Sequence, residues 1–177
     1  MRTFHFITNE CCVFLLLLGL VFTPLSNNAQ EHYTSAIGLK TGGYGGAYGG
    51  LNFKHFATNQ IVLDFTLGGG TRHLRGDFLF EIQRPIKWTK SLDWSSRGLD
   101  WYFGIGGAIG TWRRPYQELG LRRGFYTLGK VVVGLDYDLS YIAGPVIIFC
   151  EIGPHIGLYN AVKRGIGGAV GMRYILK

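Results

Sequence analysis

Nine charged residues recur along this chain in step with small residues and opposite apolar or aromatic ones: Lys40, Lys54, Asp64, Glu81, Asp100, Lys130, Asp136, Glu151 and Arg173. Around Asp64, Ile61, Leu63, Phe65 and Leu67 alternate with Val62, Asp64 and Thr66. Around Asp136, Val131, Val133, Leu135 and Tyr137 alternate with Lys130, Gly134, Asp136 and Asp138. Period two puts the charges of each run on one face of an extended segment. Bases and acids gathered on a common face can do one of two things. They can pair with each other and interlock, or they can line a water path or a binding site. Where the enclosed space is only wide enough for side chains, interlocking is the expected outcome. Each charge is then costly to truncate, at roughly 3–5 kcal/mol, because its partner stays buried and unpaired.

The other residues able to carry chemistry are scattered. His32, His55, His73 and His155 show no metal-ligand spacing, and Cys150 is isolated, so no metal is expected. Acyl transfer needs a nucleophile, a base and an orienting group within hydrogen-bond reach. His73 has Asp77 after it, but Ser35, Ser91, Ser95, Ser96 and Ser140 are distant in sequence. No catalytic residue and no cofactor are expected, and His73 reads as a solvated loop residue. The exception is residues 113–123 (RRPYQELGLRR), where Arg113, Arg114, Arg122 and Arg123 bracket a loop opposed only by Glu118. Guanidinium groups grip phosphate and carboxylate bidentately. With Arg72, Arg75, Lys163 and Arg164 in neighbouring connections, these form a candidate anion-binding rim. The plainer alternative is a solvated loop.

The elements that position these residues follow from the same alternation. Strands are expected over 33–41, 48–56, 60–69, 77–86, 99–112, 127–139, 146–156 and 165–176. Apolar residues rarely recur at three and four, which excludes a helical reading. The expected class is all-β: an eight-stranded, antiparallel, up-and-down transmembrane β-barrel. Each segment is near the ~9–11 residues that cross a bilayer at a tilt, and closure leaves no strand edge unpaired. Connections 41–47, 70–76, 113–126 and 158–164 fall at one end. Connections 57–59, 85–98 and 140–145 fall at the other, 85–98 being long for a turn.

The start of the chain fits this reading. A run over 11–22 is apolar apart from Gly19, and a polar tail ends at Ala29. Residues 1–29 are expected to be a cleaved signal peptide, since the run is well short of the roughly 20 residues that span a membrane. Residues 30–177 form the barrel domain, in which Cys150 is the only cysteine, so no internal disulfide is possible. The sequence holds 28 glycines against 5 prolines and is 15% aromatic. A small barrel accounts for both: aromatics form girdles and glycines keep a crowded interior narrow. The net charge of +7 on an exported protein points to anionic lipid or polysaccharide, and no nucleic-acid motif is present.

The stretches 98–107 (GLDWYFGIGG), 134–141 (GLDYDLSY) and the final GAVGMRYIL resemble the small eight-stranded outer-membrane β-barrel proteins of Gram-negative bacteria, the outer membrane protein beta-barrel family. The resemblance covers most of residues 30–177 through patterns more than signatures. It implies the outer membrane, a monomer, contact with outer-membrane lipid and lipopolysaccharide, and delivery by the barrel-assembly machinery. In this setting Val170, Met172, Tyr174 and Leu176 read as the C-terminal assembly signal, although the chain ends in Leu176-Lys177 where a terminal aromatic is usual. Gly153-Pro154 also departs from the pattern, which commonly has a charged residue before the proline. The expected role is structural or surface-interacting, with a plugged polar lumen. The rivals are a narrow pore or transporter, a lipid-modifying enzyme, and a soluble barrel with its apolar face turned inward.

Overall fold

The computed structural model describes residues 33–86, 98–115, 120–140 and 142–176. Its strands, in chain order, are β1 (Ser35–Gly43), β2 (Ala47–Phe56), β3 (Ile61–Gly69), β4 (His73–Pro85), β5 (Leu99–Trp112), β6 (Gly124–Asp138), β7 (Val146–Tyr159) and β8 (Arg164–Leu176). Each pairs antiparallel with its sequence neighbour, and β8 returns to β1 with Ser35 opposite Leu176 and Gly43 opposite Gly168. The sheet is therefore a closed barrel with no free edge. No helix occurs among the described residues. The expected signal peptide and most of the 85–98 connection lie outside them.

β5 has the expected bounds, but the strands around one mouth run further than expected. The connection read as 70–76 shrinks to three residues: Gly70 N–H donates to the His73 carbonyl at 3.0 Å, and β4 starts at His73. β6 likewise starts at Gly124 rather than 127, and β7 runs to Tyr159 rather than 156. The reason is visible in β4. His73, Arg75 and Asp77 keep the parity of Leu79 and Glu81, so the pleat simply continues.

The two faces have inverted polarity. Lys54 and Glu81 are 0% exposed, whereas Leu67 is 66% and Ile166 77% exposed. Along the outward-facing positions, the only charged side chains among the described strand residues are Arg84 and Arg164, each beside a strand end. This is the reverse of a soluble barrel with an apolar core. Inside, small apolar clusters sit at the two ends. Ala108, Trp112, Leu121, Tyr126 and Leu128 lie at the mouth where β5 meets β6. Ala36, Ile147 and Ile175 lie at the opposite end. The charges share the space between with a third cluster of Tyr44, Tyr48, Leu79, Tyr102, Val132 and Ala169.

Glycine makes room for the interior rings. Tyr102 lies across its register partner Gly134, and Phe149 lies across Gly171, where an added Cβ would be 2.5 Å from ring carbons. A bare strand position covered by an aromatic from the next strand fixes register and ring position together. The β6–β7 seam is less regular. It carries a bulge at Thr127/Leu128, and after Lys130↔His155 its pairing resumes at Val133↔Ile152. The residues between include Pro154, which has no N–H to donate. Replacing Gly134 with Val is expected to displace the Tyr102 ring and lower stability by about 1–3 kcal/mol. Urea unfolding of the detergent-refolded protein measures it; an unchanged midpoint would mean the ring is not held there.

Candidate functional site: a buried ion network and a basic mouth

The inward faces of seven strands contribute to one connected network. Arg75 and Asp77 of β4 form a two-pronged pair with both hydrogen bonds at 2.7 Å. Lys130 of β6 reaches Asp77 at 2.8 Å and Glu151 of β7 at 3.9 Å. Lys40 of β1 meets Glu151 at 2.9 Å and Asp64 of β3 at 3.7 Å. Arg173 of β8 then holds Asp64 at 2.6 Å and Asp136 of β6 at 3.2 Å. Lys54 of β2 closes the series, 2.7 Å from Asp136 and 3.0 Å from Glu81 of β4. Five bases face five acids, so the network is formally neutral.

Neutral groups complete it. Asn52 donates to Asp64 at 2.8 Å and to Thr66 at 3.0 Å, and accepts from Arg173 Nε at 2.5 Å. Tyr102 donates to Glu151 at 3.2 Å. Aromatic faces back the cations: the Arg173 guanidinium is 3.5 Å from the Phe149 centroid, Lys54 is 4.4 Å from Tyr102 and Lys130 is 4.7 Å from Tyr44. In the β1–β2 turn the Tyr44 phenol is buried, and that burial raises its pKa, so it stays neutral.

Most of these contacts cross the lumen. Apart from Arg75–Asp77 within one strand and the long Lys130–Glu151 pair, each of the ion pairs named here joins strands that are not neighbours in the sheet. Eight of the nine charges grouped from the sequence are joined in this way. The ninth, Asp100, accepts from Gln83 at 2.8 Å.

Two residues assigned to the 70–76 connection belong inside. Arg75, read as part of the candidate anion-binding rim, is 2% exposed and bound to Asp77 and the Tyr44 carbonyl. His73, read as solvated, is buried against Trp112 and Tyr126, with ring centroids 5.1 and 6.0 Å away. Both keep the inward parity of β4, the signal that the glycine-rich run 68–70 obscured. A serine and a histidine do meet, though not near His73: Ser35 Oγ lies 2.9 Å from His55 Nδ1 on the outer face at the opposite end. Among the described residues no carboxylate hydrogen-bonds to His55.

At the mouth, Arg113, Arg114, Arg122 and Arg123 are all exposed. Residues 116–119 between the two pairs lie outside the described residues. Arg113 N–H donates to the Arg72 carbonyl at 2.7 Å, which ties the β5–β6 loop to the β3–β4 turn. Asn160 ties it to the β7–β8 loop. Its side chain accepts from Arg122 N–H at 2.9 Å and donates to the carbonyls of Arg122 at 2.8 Å and Phe125 at 3.1 Å, while its own carbonyl accepts from Trp112 Nε1 at 2.8 Å. Asn160 has φ +44°, a conformation asparagine tolerates better than most residues. Arg122 and Arg123, but not Arg113 and Arg114, line a cleft of about 420 Å³ with Gly120, Gly124, Phe125, Tyr159 and Asn160. At the closing seam Val170, Met172, Tyr174 and Leu176 all face outward and are exposed.

These features define a class: a closed eight-stranded antiparallel β-barrel with its charges inside and its apolar residues outside. No family model matches the chain, and no curated protein matches it. Among solved structures it is similar to the N-terminal β-barrel domain of Pseudomonas aeruginosa OprF, with a TM-score of 0.55 and 16% identity over 82% of this chain and 100% of that one. The likeness is one of fold.

Arg173→Met leaves Asp64 and Asp136 each short of a cation and is expected to cost about 3–5 kcal/mol. Arg173→Lys, which keeps the charge but loses the fork, is expected to fall between wild type and Arg173→Met. Denaturant midpoints in detergent rank the three proteins; equal midpoints would remove Arg173 from its central role.

Proposed function

We propose that the protein is an integral outer-membrane barrel of a Gram-negative cell, with a lumen closed by the ion network and a basic mouth facing outward. Its role is structural or surface-interacting rather than catalytic. The observation that carries this reading is the inverted polarity of the wall. A charge facing lipid at the bilayer midplane costs about 2–4 kcal/mol, and the wall keeps charge to Arg84 and Arg164 at strand ends. Strands of 9 to 15 residues are long enough to cross. Outward-facing Trp101, Tyr137 and Tyr174 lie towards one end and Phe125 and Tyr159 towards the other, as interfacial aromatics do. The likeness to an outer-membrane barrel domain supports the same compartment.

The closed lumen rests on the cross-lumen pairs, which occupy the space an ion would need. In this reading β8, bearing Val170, Met172, Tyr174 and Leu176, is the strand the barrel-assembly machinery reads, and the finished barrel is a monomer in contact with lipid and lipopolysaccharide.

The protein is expected to require detergent for solubility, to float with phospholipid vesicles, and to show a heat-dependent gel mobility. In planar bilayers the folded wild type is expected to be silent, and an Arg173→Ala/Asp136→Ala double variant to show discrete conductance steps. Reproducible steps from the wild type would instead identify a pore.

A further inference from the structure

We infer that the cleft between the β5–β6 and β7–β8 loops binds the phosphorylated sugar headgroup of a membrane lipid. The inference deepens the outer-membrane reading and rests on it. Three observations meet at this cleft. The first is charge. Arg122 and Arg123 form part of its wall, and among the described residues no carboxylate pairs with either side chain. Inside the barrel Arg75 and Arg173 are buried and paired with acids; here two arginines consecutive in sequence are exposed. Phosphate is the group that such a pair holds best, through short charge-assisted hydrogen bonds.

The second is an apolar platform. Phe125 and Tyr159 lie side by side with ring centroids 6.5 Å apart and planes inclined at 36°. A sugar ring presents an apolar face to such a surface and hydroxyls around its edge. The cleft, at about 420 Å³, falls in the range of small-ligand sites. The third is preorganisation. Asn160 hydrogen-bonds to the backbone of Arg122 on both its N–H and its carbonyl, and to the carbonyl of Phe125. The roots of one arginine and one ring are thus fixed before a ligand arrives, which lowers the ordering cost of binding.

The location selects the source of the sugar phosphate. Phe125 is 54% and Tyr159 64% exposed, and Phe125 faces outward while Tyr126 beside it is 2% exposed and faces the lumen. The platform therefore belongs to the outer wall, just above the apolar band that contains Ile156 and Ile166. A ligand lying on it has its polar head against Arg122 and Arg123 and room for acyl chains along the wall below. A soluble sugar phosphate would leave that adjoining apolar surface unused. Lys163 and Arg164, both exposed at the start of β8, add positive charge on the same side.

The test titrates the detergent-solubilised protein, its fold checked by heat-dependent mobility, with three probes: bisphosphorylated lipid A, lipid A stripped of its phosphates, and glucosamine 1-phosphate. Native mass spectrometry counts what is retained. The phosphorylated lipid is expected to bind about tenfold more tightly than the stripped one, and R122Q/R123Q to abolish that preference. R113Q/R114Q, which removes the same charge outside the cleft, is expected to change affinity by less than about twofold. Y159A is expected to weaken the phosphorylated lipid while leaving the phosphate preference in place. Equal loss from both arginine pairs would overturn the site in favour of diffuse charge. Equal affinity for the two lipids in a barrel that floats with vesicles would overturn the inference and leave the membrane reading standing. Glucosamine 1-phosphate bound as tightly as the lipid would overturn the lipid source. A chain soluble without detergent would overturn both readings.

Discussion

The Arg173 guanidinium is the point on which the rest of the interior depends. It joins Asn52, Asp64 and Asp136, contributed by three other strands, and sits over the Phe149 ring. Taking charges out of water is expensive, and only near-complete pairing and hydrogen bonding repay it. Arg173 settles that account for two carboxylates at once. Lys40 and Lys54 then reach the far sides of the same acids and extend the pairing to Glu151 and Glu81. Each cation on this path serves more than one carboxylate, so none can be moved without freeing another.

Geometry and electrostatics are set by the same residues. Tyr102 occupies the space above Gly134, and from there its hydroxyl reaches Glu151 while its ring faces Lys54. Phe149 occupies the space above Gly171 and supports both Lys40 and Arg173. Backbone bareness on one strand thus positions a ring on the next, and the ring positions a charge. The high glycine content is part of the wiring of the lumen as well as of the curvature of the wall.

Much of this could be read from the sequence, because a two-residue period is a strong local signal. All eight strands are legible, β5 to the residue, and the nine lumen charges all face inward at 0–6% exposure. The ends of strands at the mouth were harder. In 70–76 a glycine run followed by Thr71 and Arg72 resembles a loop, and only the shared parity of His73, Arg75 and Asp77 shows that β4 has already begun. Who pairs with whom was not legible at all. Lys40 and Glu151 are 111 residues apart and Arg173 and Asp64 109 apart, and their meeting is decided by tilt and closure rather than by anything local. The Asn160 tether is hidden for the same reason: its partners are 35 and 38 positions away.

Since most of the ion pairs of the network span the lumen between strands that are not neighbours in the sheet, the hairpins of this barrel do not by themselves pair most of their charges. Facing inward, a β1–β2 hairpin carries Lys40 and Lys54 with no acid, and β3–β4 carries Asp64, Asp77 and Glu81 with Arg75 as the inward base. Taken singly, each presents inward charges whose partners lie on other strands. Two of the cross-lumen pairs, Lys40–Glu151 and Arg173–Asp64, also reach across the β1–β8 seam. Closing the seam between β1 and β8 therefore completes the charge pairing as well as the hydrogen-bonded sheet. Partial sheets leave acids and bases unmatched, and the closed cylinder matches them, so that wall and interior are completed together.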